Sequence, residues 1–287
     1  MIKSLHELLA APPETGNRSM DRITISPSDV TDALLSIGVK PGGVVMVHPD
    51  AIVAAQFPSI DGSNMDGSNH ERLDLLIDAM LAAVGANGTL VTPTFSYSFT
   101  KGEVFNVRNT PSAVGMVSER FRKRPGVHRT ADPIFSFACY GPLAQTLSVI
   151  PAGECFGAES VFGALHRWNA HIVDLGCSMN RGGTFVHYVE TAYGVDYRYK
   201  KTFSGTIISA DGDTTACSVV YIVRDLTRKS AAELARLQKR LADDGKSRTV
   251  QVGRSPIMAV SAGDLFDTAW KMLDEDPASL IVEGVRG

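Results

Sequence analysis

Among the 287 residues, His187 and Glu190 offer the most definite chemistry, because a spacing of three puts an imidazole and a carboxylate on one face of a helix. A carboxylate so placed orients the imidazole and suits it to act as a general base at neutral pH. The pair lies in Thr184-Phe185-Val186-His187-Tyr188-Val189-Glu190, directly after Gly176-Cys177-Ser178-Met179-Asn180-Arg181-Gly182-Gly183. A glycine-rich loop that follows a strand and opens a helix points backbone N–H groups at an incoming ligand. Taken alone, HxxE is a common chance pairing, and an exposed or core-satisfied histidine is its ordinary alternative. Zinc is not indicated, since HxxE lacks the second histidine of HExxH and no cysteine stands at ligand spacing. Cys177 brings a thiol near the same segment. A nucleophilic cysteine needs a depressed pKa, and use as a small buried hydrophobe is the commoner role.

The elements that must position these groups alternate between helix and strand. Ser26-Pro27-Ser28-Asp29 starts a helix carrying Val30, Ala33, Leu34 and Ile37, which should stop near Gly38. Val44 to Val47 is a β-branched, buried strand, and the period of Leu73, Leu76, Ala79, Met80 and Ala83 is that of an amphipathic helix ending at Gly85. Further alternation runs through Thr89 to Thr92, Val117 to Arg124, Phe135 to Tyr140, Pro142 to Val149, Val161 to Trp168 and His171 to Leu175. The fold class is therefore α/β, with a mixed, partly parallel central sheet flanked by helices. Ligands in such sheets bind beyond the carboxyl ends of the strands, which directs attention to His48, Thr94 and the segment after Leu175.

After Tyr199 the texture becomes α+β. Thr202 to Ala210 and Thr215 to Val223 flank the hairpin turn Asp211-Gly212-Asp213. A helix from Ala231 to Ala242, a strand at Val250 to Val252 and a helix from Ala262 to Leu273 follow. The division is residues 1–199 as an α/β portion that carries the candidate site and 200–287 as an α+β C-terminal portion packed into the same unit. Pro58 to His70, rich in Gly, Ser, Asn and Asp, reads as a surface loop.

Composition narrows the partners. With 44% hydrophobic residues the chain can bury a substantial core, and a net charge of -3 gives no global electrostatic case for nucleic acid or anionic membrane. The opening residues lack a secretory apolar run, and no stretch approaches the roughly 18 apolar residues of a membrane span. Cys139, Cys155, Cys177 and Cys217 are scattered, which matches a reducing cytoplasm. Arg120, Arg122, Lys123, Arg124 and Arg129 form a basic cluster that can meet phosphates, although a solvated helix face explains it more simply.

Four segments in order resemble the aminoglycoside 3-N-acetyltransferase family: GVKPGGVVMVH from Gly38 to His48, LIDAMLAAVGANGTLVTPTFSYS from Leu76 to Ser98, GMVSERFRKRPGVHRTADPIFSFACYG from Gly115 to Gly141, and HIVDLGCSMNRGGTFVHYVETAYG from His171 to Gly194. The resemblance implies acetyl-CoA-dependent transfer to a primary amine, usually on a sugar, without an acyl-enzyme intermediate. It places His187 and Glu190 on the catalytic pair and lines a coenzyme A channel with His48, Thr94, Ser96, Ser136 and Thr184. Acetyl-CoA is thus the expected donor and no metal is expected. The expected partners are coenzyme A and a small amine, with a homodimer as the assembly to test.

Two departures from the family pattern introduce acids. The strand-end histidine usually continues into Ser-Ser, but here it continues as His48-Pro49-Asp50, and the position before Pro133, commonly His, is Asp132. Asp50 and Asp132 are accordingly expected to receive a cationic or hydroxyl-rich acceptor. Aminoglycosides are polycations that call for several acids, and Asp196 and Glu190 join the candidates. Two other readings stand beside the aminoglycoside one: a biosynthetic acylase of a nucleotide-linked amino sugar or other small amine, and a non-catalytic binder of coenzyme A or another small ligand.

Overall fold

Ser26 closes a capping box with Asp29, its hydroxyl accepting from the Asp29 amide and the Asp29 carboxylate accepting from the Ser26 amide at 2.7 Å. This cap starts α1 (Pro27–Ser36), whose Val30, Ala33 and Leu34 turn inward. The computed structural model describes residues 24–58 and 66–284, so the opening segment lies outside the described residues. After α1 come β1 (Val44–Pro49), α2 (Ala51–Ala54), α3 (Asp66–Val84), β2 (Thr89–Pro93), β3 (Phe105–Asn106), α4 (Met116–Phe121), β4 (His128–Arg129) and β5 (Phe137–Tyr140). Next are α5 (Ala144–Ser148), α6 (Val161–Arg167), β6 (His171–Leu175), α7 (Met179–Gly182), α8 (Val186–Tyr193), β7 (Arg198–Ile208) and β8 (Thr214–Arg224). The described chain closes with α9 (Ala235–Asp243), β9 (Ser247–Val252), β10 (Ser255–Ser261) and α10 (Ala262–Glu275).

A seven-stranded sheet runs in the order β4-β5-β2-β1-β6-β10-β9. Its middle strands β2, β1 and β6 are parallel, while β5, β4, β10 and β9 join antiparallel. Alternation along the parallel strands sends side chains to two cores. Val45, Val47, Leu90 and Val173 pack with apolar residues of α1 and α3; Met46, Val91 and Ile172 pack with those of α8 and α10. A second sheet, β3-β7-β8, is dominated by the β7–β8 hairpin, whose register closes Ile208 against Thr214 around the expected turn.

Two sequence expectations change. Helix α3 begins at Asp66, inside the stretch read as a loop, and residues 59–65 lie outside the described residues. The Gly, Ser and Asn of its first turn are weak helix formers, which hides the start of the helix until the apolar period begins at Leu73. Strand β10 was not expected. It follows β9 through a hairpin at Gly253, whose φ of 56° suits glycine, and a Cβ there would stand 2.3 Å from Gln56 Oε1. Through β10, which pairs with β6 from Ile257↔Leu175 to Ser261↔His171, the 200–287 portion completes the central sheet, while β7 and β8 form the other sheet.

Candidate active site

Helix α8 follows the carboxyl end of β6 through α7 and the Gly182-Gly183 pair, and ends at Gly194 with φ 79°. On it, His187 Nδ1 and Glu190 Oε2 stand 2.6 Å apart, as the three-residue spacing requires. After Gly194 the chain doubles back into β7 and brings two further groups to the same carboxylate. Arg198 Nε is 2.6 Å from Oε2, and the Tyr197 hydroxyl donates to Oε1 at 3.0 Å. The Glu190 and Arg198 side chains are 0% and 3% exposed, whereas His187 retains 20%. The imidazole is therefore the member of the group that solvent and substrate can reach.

The electrostatics are those of a held carboxylate. Burial pushes the Glu190 carboxyl up, but the charge and hydrogen bond of His187, then Arg198 and Tyr197, outweigh it and hold the carboxyl below its ordinary value. Burial first, and the Glu190 charge second, push the Tyr197 phenol far above its usual range, so it remains an O–H donor. With Nδ1 engaged by Glu190, Nε2 is the ring nitrogen left to take a proton. The Phe156 ring packs edge-on against the imidazole, with centroids 5.3 Å apart.

The other expected residues fall into three groups. His48 and Asp174 face each other at the carboxyl ends of β1 and β6, Nδ1 to Oδ1 at 3.6 Å, beneath Gly182. Neither His48 ring nitrogen nor Asp174 Oδ1 has a hydrogen-bond partner among the described residues. Burial drives His48 down to about 4 and Asp174 up to about 7, so at neutral pH the imidazole is uncharged and the carboxyl is poised between its protonated and ionised forms. Thr94, Ser96 and Ser136 are fully enclosed. The Ser136 hydroxyl donates to the Thr94 carbonyl at 2.8 Å, and that of Ser96 donates to the Pro133 carbonyl at 2.8 Å. Thr184 is half-buried at the approach to α8, and its carbonyl accepts from the His187 amide at 3.1 Å.

The two acids that depart from the family pattern are already engaged. Asp50 caps α2 by accepting from the Ile52 amide at 3.0 Å and pairs with Arg181 at 2.8 Å. Asp132 Oδ1 accepts from the Ile134 and Phe135 amides, each at 2.8 Å. Asp196 is paired with Arg228 at 2.9 Å. The basic cluster is likewise turned to internal partners: Arg120 and Arg124 bind Asp74, Arg122 and Lys123 bind Glu119, and Arg129 donates to the Thr94, Val107 and Thr110 carbonyls. A cleft of about 750 Å³ opens beside Ala51, Gly115 and Arg120, next to the carboxyl end of β1. Burial pushes the Cys177 thiol up to about 12, aided by Asp174 and Asp50, which removes the thiolate a nucleophile needs.

Tyr197 and Arg198, which hold the Glu190 carboxylate, are site residues that the sequence reading did not single out. Their signal was faint, because the chain turns at Gly194 between them and Glu190, so no helical period links the three. Among the described residues no group of three or more His, Cys, Asp or Glu is placed to hold a metal, and no helix is long and apolar enough to cross a membrane.

Comparison with known proteins gives a consistent result. The family model described as aminoglycoside 3-N-acetyltransferase matches residues 52–274. Aminoglycoside N(3)-acetyltransferase IV of Salmonella sp is 28% identical over 259 residues, covering 87% of this chain and 88% of the relative. The crystal structure of a mutant of aminoglycoside acetyltransferase AAC(3)-IVa in complex with apramycin is 25% identical, covers 92% of this chain and 98% of that one, and superposes with a TM-score of 0.70. A binary complex of AAC-IIIb with CoASH shares the fold at 18% identity, with a TM-score of 0.71 over 88% of this chain and 97% of that one.

Proposed function

The chain belongs to the aminoglycoside 3-N-acetyltransferase family, and from that premise we propose that it transfers the acetyl group of acetyl-CoA to a primary amine of an aminoglycoside or related amino sugar, with His187 as general base. The observation that carries this reading is the 2.6 Å contact between His187 Nδ1 and a buried Glu190 that is itself fixed by Tyr197 and Arg198. An ammonium cannot attack a thioester, so the nitrogen must lose a proton before or during attack. The ammonium gives up its first proton to water, and His187 Nε2 takes the second as the resulting amine nitrogen bonds to the thioester carbonyl carbon. The C–S bond then breaks, and the coenzyme A sulfur leaves with its electron pair. Glu190 supplies the negative charge that steadies the imidazolium through this step.

Family membership supports acetyl-CoA as donor, and the cleft beside Ala51 at the carboxyl end of β1 has the size of a cofactor site. Thr184 and His48 are assigned to the donor channel. The enclosed Thr94, Ser96 and Ser136 brace its wall, Ser136 through its bonds to Thr94 and Ser96 through its bond to the Pro133 carbonyl. The test is thiol release from acetyl-CoA with a panel of aminoglycosides, apramycin included, alongside a nucleotide-linked amino sugar. Release with aminoglycosides, abolished in His187→Ala while coenzyme A binding persists, is the expected result. Coenzyme A binding with no release for any amine would leave a non-catalytic binder, and near-normal turnover in His187→Ala would remove the base assignment.

A further inference from the structure

A row of aromatic rings leads away from His187 and ends in two tyrosines. Phe156 touches the imidazole edge-on and stands 4.6 Å from Phe135 by ring centroids. Tyr221 packs 5.0 Å from Phe135 and 6.1 Å from Phe156, and Tyr97 lies 5.8 Å from Phe135. Both tyrosines are half-buried, unlike the enclosed phenylalanines they pack on. Neither phenol hydroxyl has a hydrogen-bond partner among the described residues, and neither is among the buried unpartnered atoms, so both stay open to a ligand.

The backbone is held so as to aim these rings. The Ser96 and Ser98 amides are tied to the Ile134 and Pro133 carbonyls, each at 3.2 Å. Tyr97 between them takes a left-handed φ of 57°, which a bulky residue adopts only when its surroundings compel it. Tyr97 also sits just beyond the carboxyl end of β2, where this sheet type binds ligands. Tyr221 is fixed from the other side. The carbonyl of its neighbour Val220 accepts from the Cys155 amide at 2.9 Å, locking β8 to the segment that carries Phe156.

We propose that the hydroxyls of Tyr97 and Tyr221 bind the acceptor, hydrogen-bonding a polyhydroxylated amine so that its reacting nitrogen rests at His187. The inference rests on the amine-acetylating reading above and names how the acceptor is recognised. Recognition through hydroxyls fits the surroundings, because the neighbouring carboxylates are engaged: Glu154 with Lys200 at 2.6 Å, Asp132 with two amides, and Glu190 with His187 and Arg198. Burial, the largest cause at both, pushes the two phenols above their ordinary value, and Tyr221 adds to the rise at Tyr97. Both therefore stay protonated and can donate as well as accept.

The experiment compares Tyr97→Phe, Tyr221→Phe and the double variant with wild type, using apramycin and acetyl-CoA. Phenylalanine keeps the ring packing, so folding is preserved while the hydroxyl is lost. Each single change should raise the KM for apramycin about tenfold, the effect of one good hydrogen bond, with the KM for acetyl-CoA within about twofold of wild type. An unchanged apramycin KM in the double variant overturns the proposal, as does a rise confined to acetyl-CoA. Calorimetric binding of apramycin to wild type and the double variant reads the same contacts without turnover. Weaker binding in the double variant supports the proposal even in a chain that proves inactive, and equal binding overturns it.

Discussion

The Tyr197 hydroxyl meets Glu190 on Oε1, the oxygen that His187 and Arg198 leave open, at 3.0 Å. The carboxylate is thereby clamped from both ends, and its rotation, which would swing Oε2 away from the imidazole, is blocked. Tyr197→Phe should lower kcat by roughly five- to tenfold and cost about 1–2 kcal/mol of stability, the effect of orphaning one buried acceptor. The KM for acetyl-CoA should not move. Steady-state kinetics and urea unfolding of the same preparation check this, and an unaltered kcat would show that the clamp is dispensable.

His48 and Asp174 make opposed contributions to the pH dependence of stability. Asp174, raised by burial from 3.8 to about 7, holds its proton more tightly in the folded chain, so its contribution is full below pH 3.8 and is lost as pH rises to about 7. His48, lowered by burial from 6.5 to about 4, contributes fully above pH 6.5 and loses that contribution as pH falls to about 4. Over pH 4 to 6.5 the two slopes oppose and offset each other. Asp174→Asn should therefore leave a stability that climbs with pH across this window, and His48→Gln one that declines. Urea midpoints at pH 4.5 and 7 for both variants decide the matter, and two profiles parallel to wild type would refute it.

Much of this was legible in the sequence, and apart from the start of α3, hidden by its own weak helix formers, the exceptions share one cause. Patterns carried by neighbouring residues survived: the helix start at Ser26, the run Val44 to Val47, the turn at Asp211-Gly212-Asp213 and the His187–Glu190 spacing all reappear in the structure. Features made by distant chain segments did not show. Strand β10 is held by β9 on one side and by the distant β6 on the other, and Tyr197 and Arg198 reach Glu190 only after the chain has reversed at Gly194. The enclosure of Thr94, Ser96 and Ser136 likewise depends on the 133–136 segment folding against the end of β2, a contact that no local period records.

Cys177 tests the absence of a covalent acyl intermediate. Its thiol is held near 12 by burial, then by Asp174 and Asp50, and its Sγ lies 3.5 Å from the His48 carbonyl, to which it donates. Cys177→Ala should keep kcat within about twofold, since the thiolate fraction at neutral pH is negligible. Iodoacetamide should inactivate wild type slowly, if at all. Mass spectrometry of enzyme quenched with acetyl-CoA in the absence of amine should find no acetyl group on this residue; its presence would replace direct transfer with a two-step route.

Asp50 and Asp132 separate a structural from an acceptor-binding role, because asparagine preserves one and removes the other. Asp50 caps α2 and pairs with an Arg181 side chain that is 72% exposed, and Asp132 accepts from two backbone amides. An asparagine oxygen can make the same backbone bonds without the charge. If these geometric tasks are the whole role, Asp50→Asn should lose only the exposed ion pair, worth about 0–1 kcal/mol, and Asp50→Ala should add the loss of the cap, about 1 kcal/mol more. Asp132→Asn should unfold near the wild-type urea concentration, and Asp132→Ala well below it. The apramycin KM of both asparagine variants should then stay within about twofold of wild type. A rise of tenfold or more in either, with the acetyl-CoA KM steady, would instead place that carboxylate on a cationic acceptor and return the acid to the role its departure from the family pattern first suggested.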